Sequence, residues 1–488
     1  MAAACVAAGC AGTDAPGPNL PTARIDYVDG AIEPILTPGQ LVLIEGFGFG
    51  AIRGSGAVRF GGTDATLDDS TWTDFAITAP VPATLTPGAG TLTVVTATGR
   101  VLTATVHVIP APALDPATIT WQARSAFPRA PVGVALAAAE FPAAGGGTLT
   151  TTLYAAGGAE PQSSGGQTEM VPDSGTYVAR ALAGGGGATT PWVRQRDTSN
   201  AERSRVLPVP RAFAAAVVAT RHNARLSGSV LYVIGGTDAA GVPQATVLGA
   251  DVTADSIISR FASLEPLPSP VAGAIAVVRR GRVYVIGGTD AQGRPQRTVY
   301  VGRIRTDGHI DGWYAQPLLP GPRAYGGGIV RDERVLTAGG VADSVPPGGG
   351  VDPATPRLVT SDTAPLSLVS GFFTGSWGLG PDLLPEGRSQ FALLDAGNAV
   401  VIVGGMYAGA PTNSAETLAA TVTGDSVGTF TPAATNRISD QMCGPQPAGT
   451  LIGPAGVTWR EASGTPRGLV LGGVDLATEV RRACVWGF

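Results

Sequence analysis

The strongest pattern in the chain is a short apolar run that ends in two glycines. Leu231-Tyr232-Val233-Ile234 leads into Gly235-Gly236-Thr237-Asp238-Ala239, and 52 residues later Val283-Tyr284-Val285-Ile286 leads into Gly287-Gly288-Thr289-Asp290-Ala291. Weaker copies end at Gly157-Gly158, Gly339-Gly340, Gly404-Gly405 and Gly472-Gly473, six in all. Runs this short, rich in β-branched residues and separated by Gly and Pro, predict strands. A repeat near this length predicts the blades of a propeller.

A second marker follows the doublets. Phe261, Trp313 and Phe430 each lie 26 residues after Gly235, Gly287 and Gly404, while Trp192 and Trp377 lie 35 and 38 residues after Gly157 and Gly339. The extra length falls in Gly- and Pro-rich stretches such as 184–187 and 346–350, as insertions between strands do. The sixth doublet is followed by only 15 residues, too few for an outer strand. Ile119-Thr120-Trp121 with Phe127-Pro128-Arg129-Ala130 reads like Gly312-Trp313 with Gly321-Pro322-Arg323-Ala324, yet no doublet precedes it. Residues 118–123 are therefore expected to form the outermost strand of the C-terminal blade, closing a ring and pairing its open edges. This pattern of apolar strand, Gly-Gly, outer Trp and then Pro-Arg resembles the Kelch repeat over residues 117–488. The resemblance implies a six-bladed Kelch-like β-propeller, with the glycines crowded near the axis and the aromatics packed between blades.

Ahead of the repeats, residues 28–110 hold strand candidates at 41–44, 57–60, 75–78, 91–95 and 103–108, separated by turn signals at short intervals. That spacing predicts a β-sandwich. The series Ile32-Glu33-Pro34-Ile35, Pro38-Gly39, Val42 to Phe49, Val58-Arg59-Phe60-Gly61-Gly62 and Ile77-Thr78-Ala79-Pro80 resembles the immunoglobulin-like IPT/TIG domain. The resemblance implies a spacer or docking module outside the cytoplasm, without catalysis. Pro110, Pro112 and Pro116 make a stiff junction to the repeats. The whole chain is thus expected to be all-β, an immunoglobulin-like sandwich followed by a propeller.

Residues 1–27 read as a leader and tether. Ala7-Ala8-Gly9-Cys10 followed by a Pro-, Gly- and Asp-containing stretch resembles the lipobox of bacterial lipoproteins. The resemblance implies lipidation at Cys10 and a membrane-anchored protein of the bacterial cell envelope, facing the periplasm or the cell surface. An Ala-rich leader with an incidental Cys is the other reading.

Charge and composition narrow the function mainly by exclusion. The net charge is −5, and residues 28–110 contribute −4 of it. A nucleic-acid binder needs a basic stripe, and neither part carries one. All 32 basic residues are Arg, a compositional background. His107, His222 and His309 are scattered, and no zinc-type spacing, Gly-x-Ser-x-Gly, Walker or dinucleotide fingerprint is present. No metal or cofactor is expected.

Arg129, Arg211, Arg323 and Arg388 each fall about where an inner strand of a blade begins, so a closed ring would gather them at one mouth of its channel. Two readings are open: loop anchors that bond backbone carbonyls, or a site for an anion or acidic sugar. With Cys10 lipidated and Cys5 removed, Cys443 and Cys484 remain as an even pair. A disulfide between them would staple the closing blade, with free buried thiols as the alternative. The reading as a whole is an exported binding or scaffold module without enzymatic activity. It would hold a protein or glycan ligand at the mouth formed by loops such as 239–243, 291–295 and 407–413. The alternative is a carbohydrate-active enzyme such as a sugar epimerase or mutarotase. That chemistry needs an acid and a base facing one sugar carbon, with Glu265, Asp382 and Glu386 near the inner-strand entrances.

Overall fold

The computed structural model describes residues 22–142, 149–164, 167–196, 204–220, 228–257, 259–331, 334–342, 361–365, 370–379, 384, 387–407, 416–435, 438, 451–475, 480–481 and 483–488. Cys10 with its leader, His222, Asp382, Glu386, Cys443 and most of the 407–413 loop lie outside them. Apart from single 3-10 turns at Asp69–Thr71 and Pro116–Thr118, the described elements are strands. The chain is all-β.

The first unit has two sheets. One joins Arg24–Val28, Leu41–Phe47 and Ala76–Pro80; the other orders Ile35–Leu36, Val101–Val108, Gly88–Val95, Ala57–Phe60 and Thr63–Asp64. Alternation explains the layer between them. In Ala57–Phe60, Val58 and Phe60 point inward while Ala57 and Arg59 do not. These residues share one core with Leu36, Val42, Ile44, Phe49, Trp72 and Val94. The first strand, Arg24–Val28, pairs with Leu41–Phe47 and begins four residues ahead of the expected boundary at 28.

Beyond the proline junction, antiparallel sheets of four or more strands succeed one another. The first contains Ala135–Pro142, Leu149–Ala156, Thr176–Arg180 and Val193–Arg194, and the second Ala215–Ala219, Ser229–Ile234, Val247–Val252 and Ala262–Ser263. The third contains Ile275–Arg279, Arg282–Ile286, Val299–Ile304 and Ile310–Ala315, and the fourth Gly327–Val330, Arg334–Ala338, Ser361–Pro365 and Gly378–Leu379. In the fifth, Ala392–Asp395, Ala399–Val403 and Thr417–Thr423 carry Ser426–Val427 and Thr431–Pro432 on the last strand. In the sixth, Ala455–Arg460, Pro466–Leu471 and Val485–Gly487 take their outer neighbour, Gln122–Ala123, from the start of the series.

The first strand of each sheet lies against the first strand of the next, and that of the sixth against that of the first. Small residues make this crowding possible. A Cβ on Gly456 would lie 2.7 Å from the Ala392 methyl, and one on Gly328 2.7 Å from Ile275. Between sheets, large side chains stitch neighbour to neighbour. Tyr154, Tyr232 and Tyr284, each three residues before a doublet, donate forward to the carbonyls of Thr253, Gly308 and Gly371 in the following sheet. Trp313, Trp377 and Trp121 donate backward, to the Glu265 carbonyl at 3.0 Å, the Pro317 carbonyl at 2.9 Å and Thr417 Oγ1 at 2.8 Å.

Candidate functional site

The ring of first strands has two ends. At one, every doublet has both glycines at positive φ, for example +64° and +95° at Gly287 and Gly288. Its second amide donates to the residue that precedes the next sheet: Gly158 to the carbonyl of Arg211, Gly236 to Val271, Gly288 to Arg323, Gly340 to Arg388, Gly405 to Leu451 and Gly473 to Pro131. Two residues further along each segment, the chain again turns left-handed, at Gly133, Phe213, Gly273, Tyr325, Gln390 and Gly453. Five successive backbone bonds of 2.8–2.9 Å link these six in order. The three side chains they carry close the axis. Phe213 lies over Gly133 and Tyr325 over Gly273, and the two rings meet edge to face at 5.7 Å. Burial pushes the Tyr325 hydroxyl up to about 12.

The four arginines do not act alike. Arg211, Arg323 and Arg388 are all but buried, with 2–3% exposure. Arg211 donates to the Pro210 carbonyl at 2.9 Å and to Thr246 Oγ1 at 2.8 Å, and burial pulls its guanidinium below the ordinary value. Arg323 donates to the Gly339 carbonyl, and Arg388 to the Gly404 carbonyl and to Glu416 at 3.1 Å. Two of the three, Arg323 and Arg388, thus donate to the first glycine of a doublet. Arg129 stands apart: the residue in its sheet that receives the doublet amide is Pro131. Arg129 instead pairs with Glu160 at 2.7 Å and with Asp173. The hydrogen bond to Glu160 and the Asp173 charge hold it firmly protonated against its partial burial. The position is thus Arg in three sheets and Pro, Val or Leu in the others. Cys484 is disulfide-bonded and 2% exposed, and Cys443 lies outside the described residues.

The opposite end of the ring is where space exists. A cavity of about 810 Å³ is walled by the far ends of all six first strands and roofed by the sandwich, through Asp29, Ile35, Thr37 and residues 39–41. Two tight turns meet there. Asp29-Gly30 and Arg280-Gly281 are both left-handed, with φ of 52°, 78°, 45° and 72°, as hairpin turns of two residues require. A Cβ on Gly30 would lie 2.7 Å from the Arg280 Cα, so the tips touch. Asp29 pairs with Arg280, lies 3.6 Å from Arg279, and accepts from Gln40 at 3.0 Å. Around the wall, Arg331 makes a fork to Asp395 at 2.6 and 2.8 Å, and Arg460 bonds Glu140 at 3.0 Å. The junction is pinned as well. Asn398 brackets Leu114 with two bonds of 2.9 Å, and Pro110 and Pro112 lie against Gly464 and Gly397.

None of the chamber's charged residues was singled out by sequence spacing. They come from six strand ends and a separate unit, and apart from Arg279 and Arg331, one 52-residue period apart, they share no fixed spacing. The other legible signal is the Asp-Gly and Arg-Gly pairs that make the two turns. Glu265 lies elsewhere, accepting from Trp313 through its carbonyl. Among the described residues, no group of three or more His, Cys, Asp or Glu is placed to hold a metal ion.

No family model matches the chain. Over 121 residues it is 26% identical to Alpha-scruin, and over 123 residues 24% identical to Beta-scruin, both of Limulus polyphemus. The aligned stretches are 24% and 25% of this chain and 13% of each relative, so the likeness reaches only a small part of either. Scruins are Kelch-repeat proteins, and the similarity points to Kelch-like repeats in this all-β chain.

Proposed function

We propose that the chain is a non-enzymatic binding or scaffold protein, a six-bladed Kelch-like propeller joined to an IPT/TIG-like, immunoglobulin-like sandwich. The observation that carries this reading is the chamber between the two. It is preformed, polar and roofed by a second unit, as recognition sites at domain interfaces are. Its carboxylates Glu140, Asp395 and Asp29 are each engaged by an arginine, which suits holding a ligand more than shuttling its protons. Similarity to Kelch-repeat proteins supports a protein-binding scaffold in general terms. The leader supports export and anchoring through Cys10, in the envelope, and the disulfide state of Cys484 supports a bridge to Cys443.

Two measurements test this. Intact mass of the protein from its host's membrane fraction should show a chain that starts at an acylated Cys10 and is two hydrogens lighter than the reduced form; an unacylated chain starting at Met1 overturns the anchor. Incubation with reducing sugars, followed by NMR, should leave anomer exchange at its uncatalysed rate. Acceleration that Glu140→Gln abolishes would establish the epimerase or mutarotase reading instead.

A further inference from the structure

We infer that the chamber is a binding site for a neutral glycan, a short oligosaccharide carrying neither carboxylate nor amino groups, and that the sandwich is one of its walls. The inference rests on the binding-module reading and adds the place and the ligand class. The expected mouth, at the doublet end, is stoppered by Phe213, Tyr325 and Gln390, which leaves the far end of the axis as the accessible space. At about 810 Å³ the chamber falls within the range of small-molecule sites.

Its charge accounting selects the ligand. Among the described residues the lining holds four arginines, at 279, 280, 331 and 460, and four carboxylates, at 29, 140, 395 and 425, so their formal charge sums to zero. The ion pairs are partly buried, with side-chain exposures of 16% and 33% at Arg331 and Asp395 and 29% and 17% at Arg460 and Glu140. A charged ligand would have to separate such a pair and leave one member half-dry and uncompensated. An apolar ligand would strip water from guanidinium and carboxylate and return no hydrogen bonds. A sugar hydroxyl both donates and accepts, so it can bridge the nitrogen of one partner and the oxygen of the other with the pair intact. Aliphatic wall residues, Ala138, Val278 and Val330 among them, meet the C–H faces of the rings.

The test is calorimetric titration of the full chain with maltotetraose, cellotetraose and N-acetylated chitotetraose, against tetragalacturonate and deacetylated chitotetraose as charged comparators. Two variants fill the chamber from opposite walls outside its ion pairs: Thr37→Trp from the sandwich and Val278→Trp from the ring. Each is checked first for an unchanged fold by circular dichroism and melting temperature. At least one neutral tetraose should bind, at least tenfold more tightly than the charged probes, and either filling should weaken it at least tenfold. Binding that survives both fillings places the site elsewhere and overturns the inference while the binding-module reading stands. Tighter binding of a charged probe, or no binding of any neutral tetraose at millimolar concentration, overturns it as well. Turnover of the sugar, read by NMR, would instead remove the binding-module reading.

Discussion

The two ends of the ring are built on opposite plans. At the doublet end the same backbone hydrogen bond recurs between successive sheets, and the variable side chains are spent on filling the axis. At the other end the links are between side chains and only partly regular: Arg331–Asp395 and Arg460–Glu140 each join the far end of one first strand to that of the next, whereas Asp29–Arg280 joins the ring to the first unit. Backbone bonds from the doublets maintain one end of the ring, and side-chain ion pairs line the other. The difference also shows why a glycine doublet, conspicuous in the text of the chain, is a poor guide to where open space lies in the molecule.

The contrast can be broken most severely at a doublet. Gly287→Ala puts a methyl on the Arg323 carbonyl oxygen at a φ of +64°, and the cost should be about 3–5 kcal/mol by denaturant titration. A loss under about 1 kcal/mol would show that the doublets are not structurally required. Next in size is Arg323→Ala, which leaves the buried Gly339 carbonyl without its donor and should cost about 2–3 kcal/mol. Arg129→Ala, at partly buried pairs with side-chain exposures of 19–25%, leaves Glu160 and Asp173 without their cation and should cost about 1–2 kcal/mol; Arg129→Lys should restore most of that loss and Arg323→Lys little of its own, so equal rescue would contradict the separation of Arg129 from the buried set.

Alkaline pH probes the same packing. Burial pushes the Tyr284 and Tyr325 hydroxyls up to about 12 in the folded chain, against 10.0 for an ordinary tyrosine. Protons are then held more tightly by the folded state, so stability is intact below pH 10 and falls as pH rises toward 12. The slope should lose roughly 1.4 kcal/mol per pH unit for each tyrosine, and Tyr325→Phe should flatten it in that window. An unchanged slope would refute the buried, neutral phenol. The most local effect belongs to the sandwich end. Asp29→Asn should leave the melting of the ring unmoved, cost the docked sandwich about 1–2 kcal/mol, and speed proteolysis at residues 110–116. A junction as resistant as in the parent chain would argue that the turn-to-turn ion pair does not hold the roof.

Much of the all-β architecture was legible because its causes are local. The run 231–236 must be extended to bury Leu231 and Val233 on one side and Tyr232 and Ile234 on the other, since those pairs enter different cores, and its glycines mark the turn that follows. Arg129 resembles Arg211 and Arg323 in sequence because each follows a Pro, but one residue, Ala130, separates it from Pro131, the position that accepts the doublet amide. The axial stopper was readable in principle. Gly133, Gly273 and Gly453 hold the left-handed positions that Phe213, Tyr325 and Gln390 also take, but non-glycine residues in that conformation have no sequence mark. The chamber was not readable, because it exists only once the ring has brought six strand ends together under the sandwich.

The pairing of Val485–Gly487 with Gln122–Ala123 imposes a timetable. Ribosomes deliver these segments far apart in time, so the sheet of the ring that is begun earliest is finished last. Until residues 485–488 emerge, Trp121 lacks the Phe488 ring that meets it at 5.1 Å, and the nascent arc presents two raw edges. Hairpins within each sheet form early, while this distant closure comes late. A stop codon just ahead of Val485 would therefore yield not a slightly shorter protein but an unclosed one, apt to recruit its missing strand from a neighbouring copy.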